Sequence, residues 1–160
     1  MTPGAITATA NSIAQRDVTA VAAVQEALMR IDERDGEIGS VIALRAEQAL
    51  EEAAALDEIL ARTGEVTGPL HGVPVLVKDL ENVAGMQTRK GSKLFEHVAP
   101  ADTDEVVPAL LRAAGAVIAL QLALDAMLRL PVLQHGGTRQ PLVDREHMHE
   151  IVEPFLLVGF

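Results

Sequence analysis

The chain has 160 residues, 49% of them apolar, and its 13 basic and 23 acidic side chains leave a formal net charge of −10. That length supports one globular domain with a sizeable core. The acidity argues against binding to duplex nucleic acid, which needs clustered Lys and Arg, and equally against an anionic membrane surface. The chain has no cysteine, which rules out a disulfide scaffold, thiol catalysis and a thiolate metal site and suits a reducing, cytoplasmic setting.

The N-terminus, Met1 to Ile6, lacks the basic start and long apolar stretch of a secretory signal. A helix is expected over Ala20–Glu33, where Val21, Val24, Leu28 and Ile31 form one apolar stripe. Thr19 is its expected N-cap, and Gly36 and Gly39 mark its exit. Ser40–Leu44 reads as a short extended piece. A second helix is expected over Ala46–Ala61, with Ala46, Ala49, Ala53, Leu56 and Leu60 facing inward. Glu47, Glu51, Glu52, Asp57 and Glu58 would then face solvent.

After a turn-rich loop, Val73–Val77 is a nearly all-apolar run, the pattern of a strand covered on both faces. A third helix is expected to start at Asp102, with Asp102 and Glu105 at capping-box spacing and a kink at Pro108. Gly115 would stop it, and Ala116–Ile118 reads as a second buried strand. Strand, helix and strand in this order form a β-α-β crossover with a parallel pair. The expected class is therefore α/β: N-terminal helices beside a partial parallel or mixed sheet. The most apolar run, Ala113–Leu124, is broken by Gln121 and followed by Asp125 and Arg129. A membrane span needs about 20 nearly uncharged residues, so none is expected. The last residues, Pro154–Phe160, form a strand-like apolar segment with nothing after it, a hint of a cut chain.

Lys78 falls at the carboxyl end of the Val73–Val77 run. Ligands of α/β folds sit at that end of parallel strands, and burial there would lower the pKa of an amine towards that of a useful base. A lysine so placed can equally leave the sheet for solvent, which by position alone is the commoner outcome.

The identity of the neighbouring residues adds to this. Gly68-Pro69-Leu70-His71-Gly72-Val73-Pro74 leads through the strand into Val77-Lys78-Asp79. With Val83-Ala84-Gly85-Met86, Thr88, Gly91-Ser92 and Arg112 to Ile118, this segment resembles the amidase signature family. The resemblance covers residues 15–118. It implies a hydrolase of carboxamides that uses a Ser–Ser–Lys set and neither metal nor organic cofactor. Lys78 would be its lysine, drawing a proton through a bridging serine from a nucleophilic serine. The nucleophile attacks the carbonyl, the amine leaves, and water hydrolyses the acyl-enzyme. Backbone N–H groups of a glycine-rich loop would hold the oxyanion. His71 and Ser92 match family positions without a catalytic role: a backbone partner and a turn hydroxyl.

The pattern breaks after Ile118. Ala119-Leu120-Gln121-Leu122 stands where the family continues into Gly-Lys-Thr-Asn, and serine occurs only at positions 12, 40 and 92. Neither the bridging serine nor the nucleophile can therefore be placed on a residue of this chain. The charge also shifts. Residues 119–160 hold three basic and five acidic residues, 3 − 5 = −2, which leaves −8 for residues 1–118. The expected division is residues 1–118 as the N-terminal portion of an amidase-signature domain and residues 119–160 as a divergent tail.

Weaker groupings lie in that tail. His135-Gly136-Gly137-Thr138 has an esterase-like look, but the chain has no G-x-S-x-G elbow to serve it, so a surface turn is expected. Thr138 is a poor substitute nucleophile, since threonines that attack usually do so as chain N-termini. Glu146-His147-Met148-His149-Glu150 and Glu153 read as a solvated charged face rather than a metal site. Two readings follow: an amidase lacking its serines and so weakly active or inactive on small-molecule amides, or a non-catalytic module that self-associates or pairs through an exposed sheet edge.

Overall fold

The computed structural model describes residues 4–122 and 156–158. Among these residues it contains helices α1 (Ala5–Ala14), α2 (Ala20–Ile38), α3 (Ala46–Thr63) and α4 (Val106–Ala113). The strands are β1 (Val41–Leu44), β2 (Pro74–Lys78), β3 (Val117–Leu122) and β4 (Leu156–Val158). The sheet order is β1-β3-β2-β4. β2 runs parallel to both β3 and β4, and β1 runs antiparallel to β3. The α/β class and the parallel β2–β3 pair are as the sequence implied. The groupings at residues 135–138 and 146–153 lie outside the described residues.

β2 and β3 read as continuous apolar runs because both sheet faces are covered. On one face Leu76 and Leu120 meet Ala27 and Ile31 of α2, while Val117 and Ala119 meet Ala20, Val24, Ala49 and Ala53 of α2 and α3. On the other face Val75, Val77 and Ile118 pack with Val83, Met86 and Leu111. Alanines at the α2–α3 contact let the helices approach the sheet closely, and their helix propensity is the highest of any residue.

Thr19 caps α2 as expected, accepting the Ala22 N–H at 3.0 Å. The helix runs on through Gly36 and ends where Gly39 takes the left-handed conformation. The outward placement expected for Glu52 and Asp57 needs correcting. The Asp57 carboxylate accepts the N–H groups of Ala20 and Val21 at 2.7 and 3.0 Å, so a carboxylate of α3 satisfies the free donors that open α2. Glu52 accepts from Arg45 and Arg112, both at 2.8 Å.

Helix α4 also differs from expectation. It begins at Val106 rather than Asp102, with Glu105 as N-cap and no capping box. Pro108 is thus its third residue, where the missing N–H is one that the helix would leave free anyway, so the proline removes no helical hydrogen bond. Helix α1 has no counterpart among the expected elements. Ile6, Ala10 and Ile13 make its inward stripe, and Ile13 is fully buried in the core.

Candidate active site

Lys78 is the last residue of β2, half-buried at the carboxyl end of a strand whose preceding residues are fully buried. The chain turns sharply there. The Lys78 carbonyl accepts the N–H groups of Leu80 and Glu81 at 2.7 and 3.2 Å. Among the described residues, no carboxylate lies within ion-pair distance of its amine.

The next residue anchors the loop that follows. Asp79 is fully buried, and its carboxylate accepts the Arg89 N–H at 2.7 Å and the Gly91 N–H at 3.2 Å. Ser92 continues this turn: its hydroxyl accepts the Leu94 N–H at 3.2 Å and caps a short 3₁₀ turn, Lys93–Phe95. The loop is braced from the start of α4 as well. Glu105 accepts the Asn82 N–H at 2.7 Å, and Asp104 accepts the Ala84 N–H at 2.8 Å. Asp104 also accepts from Arg112, Arg112 from its other end meets Glu52, and Glu52 holds Arg45, which donates on to the Ile118 carbonyl at 3.1 Å. This alternating chain of charges ties the loop after Lys78 to α3 and β3. Sequence order hides it, since Arg112 and Glu52 lie 60 residues apart.

Gln121 is fully buried on β3 opposite Val77. Its amide donates to the Glu81 carbonyl at 3.2 Å, and the Thr88 hydroxyl donates to the same oxygen at 3.3 Å. Its Oε1 is buried with no partner among the described residues. Asp79, Asp104 and Gln121 are structural supports of the Lys78 turn that sequence spacing does not single out.

The glycine- and proline-rich segment before β2 docks on the end of α4. Leu70 N–H donates to the Ala114 carbonyl and Gly72 N–H to the Gly115 carbonyl, each at 2.9 Å. The two segments that carry the family resemblance therefore hold each other. His71 sits within this lock, buried. Its Nδ1 accepts the Thr67 N–H at 3.1 Å and lies 2.9 Å from the Thr67 hydroxyl. An accepting Nδ1 leaves the proton on Nε2, which is buried without a partner among the described residues. Burial lowers the His71 pKa from the ordinary value, outweighing the opposite pull of Asp57 and the Leu56 carbonyl.

A pH dependence follows. The fold favours neutral His71, while the unfolded chain takes up a proton near pH 6.5. Stability should therefore fall as pH drops from about 7 through 6 and below. In urea melts at pH 7.5 and 5.5, His71→Gln should lose less stability between the two than the parent does. Equal losses would remove His71 as a source of the dependence.

Residues 22–145 match the family model described as Amidase. The chain belongs to the amidase signature family. Over 108 residues it is 42% identical to a glutamyl-tRNA(Gln) amidotransferase subunit of Nitratidesulfovibrio vulgaris (strain DP4), covering 68% of this chain and 21% of that protein. It is 38% identical over 120 residues to the AtzE subunit of 1-carboxybiuret hydrolase from Pseudomonas sp. (strain ADP), covering 73% and 26%. The solved peptide amidase of Stenotrophomonas maltophilia superposes with a TM-score of 0.63 at 34% identity, over 70% of this chain and 23% of that one. The chain thus spans between a fifth and about a quarter of the family members it matches. No helix among the described residues is long and apolar enough to cross a membrane.

Proposed function

We propose that this chain carries the lysine-bearing part of a carboxamide hydrolase, with Lys78 as the base. The placement of Lys78 supports this reading: the end of a buried parallel strand, with its turn held by Asp79 and Gln121, inside the stretch that matches the family. In this reading Lys78 takes a proton relayed through one hydroxyl from a second, and the second hydroxyl attacks the amide carbon. The tetrahedral intermediate expels ammonia or an amine, and water returns the acyl group as a carboxylic acid.

The three serines present do not fill those roles. Ser40 is buried and donates to Asp35 at 2.7 Å, Ser92 caps the 3₁₀ turn, and Ser12 belongs to α1, outside the stretch that carries the motif. On this reading the two hydroxyls are not supplied by these serines, so the 160 residues alone are proposed to be inactive or weakly active.

A graft tests the assignment of Lys78. Residues 1–122 replace the matching part of the Stenotrophomonas peptide amidase, and release of ammonia from a peptide amide is followed. Lys78→Ala in the graft should cost about 10²–10⁴-fold in rate, the span of general-base contributions. A folded graft that works equally well with Lys78→Ala would overturn the role given to Lys78.

The second reading, a pairing module, is favoured by one feature. β1 ends the sheet and pairs with β3 alone among the described residues.

A further inference from the structure

We infer that the edge of β1, unpaired among the described residues, is an acceptor site for an extended peptide segment that carries a carboxylate side chain and belongs to another polypeptide. The inference is independent of Lys78 and gives the pairing reading a place and a partner.

Natural edge strands are usually blunted by a charge, a proline or a covering element. Val41-Ile42-Ala43-Leu44 has neither charge nor proline. Its side chains alternate, and the outward pair is apolar: Ile42 is 38% and Leu44 50% exposed. Beside the strand lies a cleft of about 270 Å³. Its walls are β1 and Gln48 on one side and Ala84–Gln87 with Arg89 on the other. The Val41 N–H is already held by Asp35 at 3.1 Å, but an extended segment entering there could bond to the β1 backbone groups without a partner among the described residues and rest its side chains on Ile42 and Leu44, the geometry of strand addition.

Charge selects the occupant. The chain holds 23 acidic against 13 basic residues, yet the cleft is lined by two arginines and no acid. The Arg45 guanidinium is committed to Glu52. That of Arg89 donates to the Gln87 Oε1 at 2.8 Å and meets no carboxylate among the described residues. A guanidinium with donors to spare, at the side of an apolar strand groove, suits a carboxylate on the incoming strand. A second copy is a poor fit. Its own β1 offers no acid, and each copy brings a net charge of −10.

The test uses the intact chain and a blocked peptide, acetyl-Thr-Val-Glu-Val-Thr-amide, with Glu→Gln and Glu→Lys versions. Binding is measured by calorimetry, and hydrogen exchange reports on the amides of residues 41–44. Arg89 is exposed, so the Glu peptide should bind about threefold more tightly than the Gln peptide, the scale of an exposed ion pair. It should slow exchange in β1, and the Lys peptide should be weakest. Arg89→Gln should erase the Glu/Gln difference yet leave binding of the Gln peptide unchanged, and Leu44→Lys should weaken all three. Circular dichroism confirms that both variants fold. Equal binding of all peptides, or no protection of β1, would overturn the inference. So would sodium acetate matching the Glu peptide, which makes the cleft a small-anion site. Concentration-dependent dimers that protect β1 without peptide would overturn it in favour of a second copy.

Discussion

Gly72→Ala should destabilise the fold by about 2–5 kcal/mol, a large part of the total stability of a small domain. Two effects add at this residue. Its φ of +73° is a left-handed conformation that costs a side chain about 1–2 kcal/mol. A Cβ built there would also lie 2.4 Å from the Ala20 Cβ, far inside the normal contact distance of about 3.5–4.0 Å. Ala20 cannot move aside easily. It is fully buried as the first residue of α2, and its N–H is fixed by Asp57. Forced overpacking of this kind costs about 1–3 kcal/mol more. Gly39→Ala is the matched control. Gly39 has φ +62° but nothing within 4 Å of an added Cβ, so it should show the backbone cost alone. Urea midpoints for the two variants separate strain from clash, and equal losses would contradict the packing described around Gly72.

The second large effect is expected at Asp79. Its carboxylate is fully buried and accepts two backbone N–H groups across the loop, from Arg89 and Gly91. Asp79→Ala leaves both donors without their charged acceptor, at a cost of about 2–4 kcal/mol. Asp79→Asn keeps one acceptor but presents a donor where a second acceptor is needed, so it should fall between. The loss should be local first. Arg89, Lys90 and Lys93 lie in the released segment, so trypsin should cut there sooner in Asp79→Ala while the β2–β3 core stays protected. Unchanged cleavage would mean that the loop is held by Glu105 and Asp104 without Asp79.

These two residues show what can be read along the chain and what cannot. Periodicity exposes α2, α3 and the buried strand, because their partners impose an apolar pattern on the local sequence. Thr19 is legible as a cap because capping is a contact over three residues. Asp57 and Glu52 mislead for the opposite reason. Both sit on the charged face of α3, and what turns them from solvent is a helix end 36 or 37 residues upstream and an arginine 60 residues downstream. Pro108 reads as a kink only when α4 is started too early. Helix α1 escapes notice since its stripe holds just Ile6, Ala10 and Ile13 among small and polar residues. At the site, Lys78 and its strand are visible in sequence, whereas the polar supports of its turn are not. Gln121 looks like an interruption in an apolar run, and its purpose emerges only once β3 lies against the Glu81 carbonyl.

Lys78 is proposed as the base of an amide-hydrolysing site whose hydroxyls the three serines of this chain do not supply. The deciding comparison incubates the purified chain and its Lys78→Ala variant side by side with a simple aromatic amide. The two should release amine at the same background rate. Turnover by the parent that Lys78→Ala abolishes would contradict it, and would show that a nucleophile acts within these 160 residues.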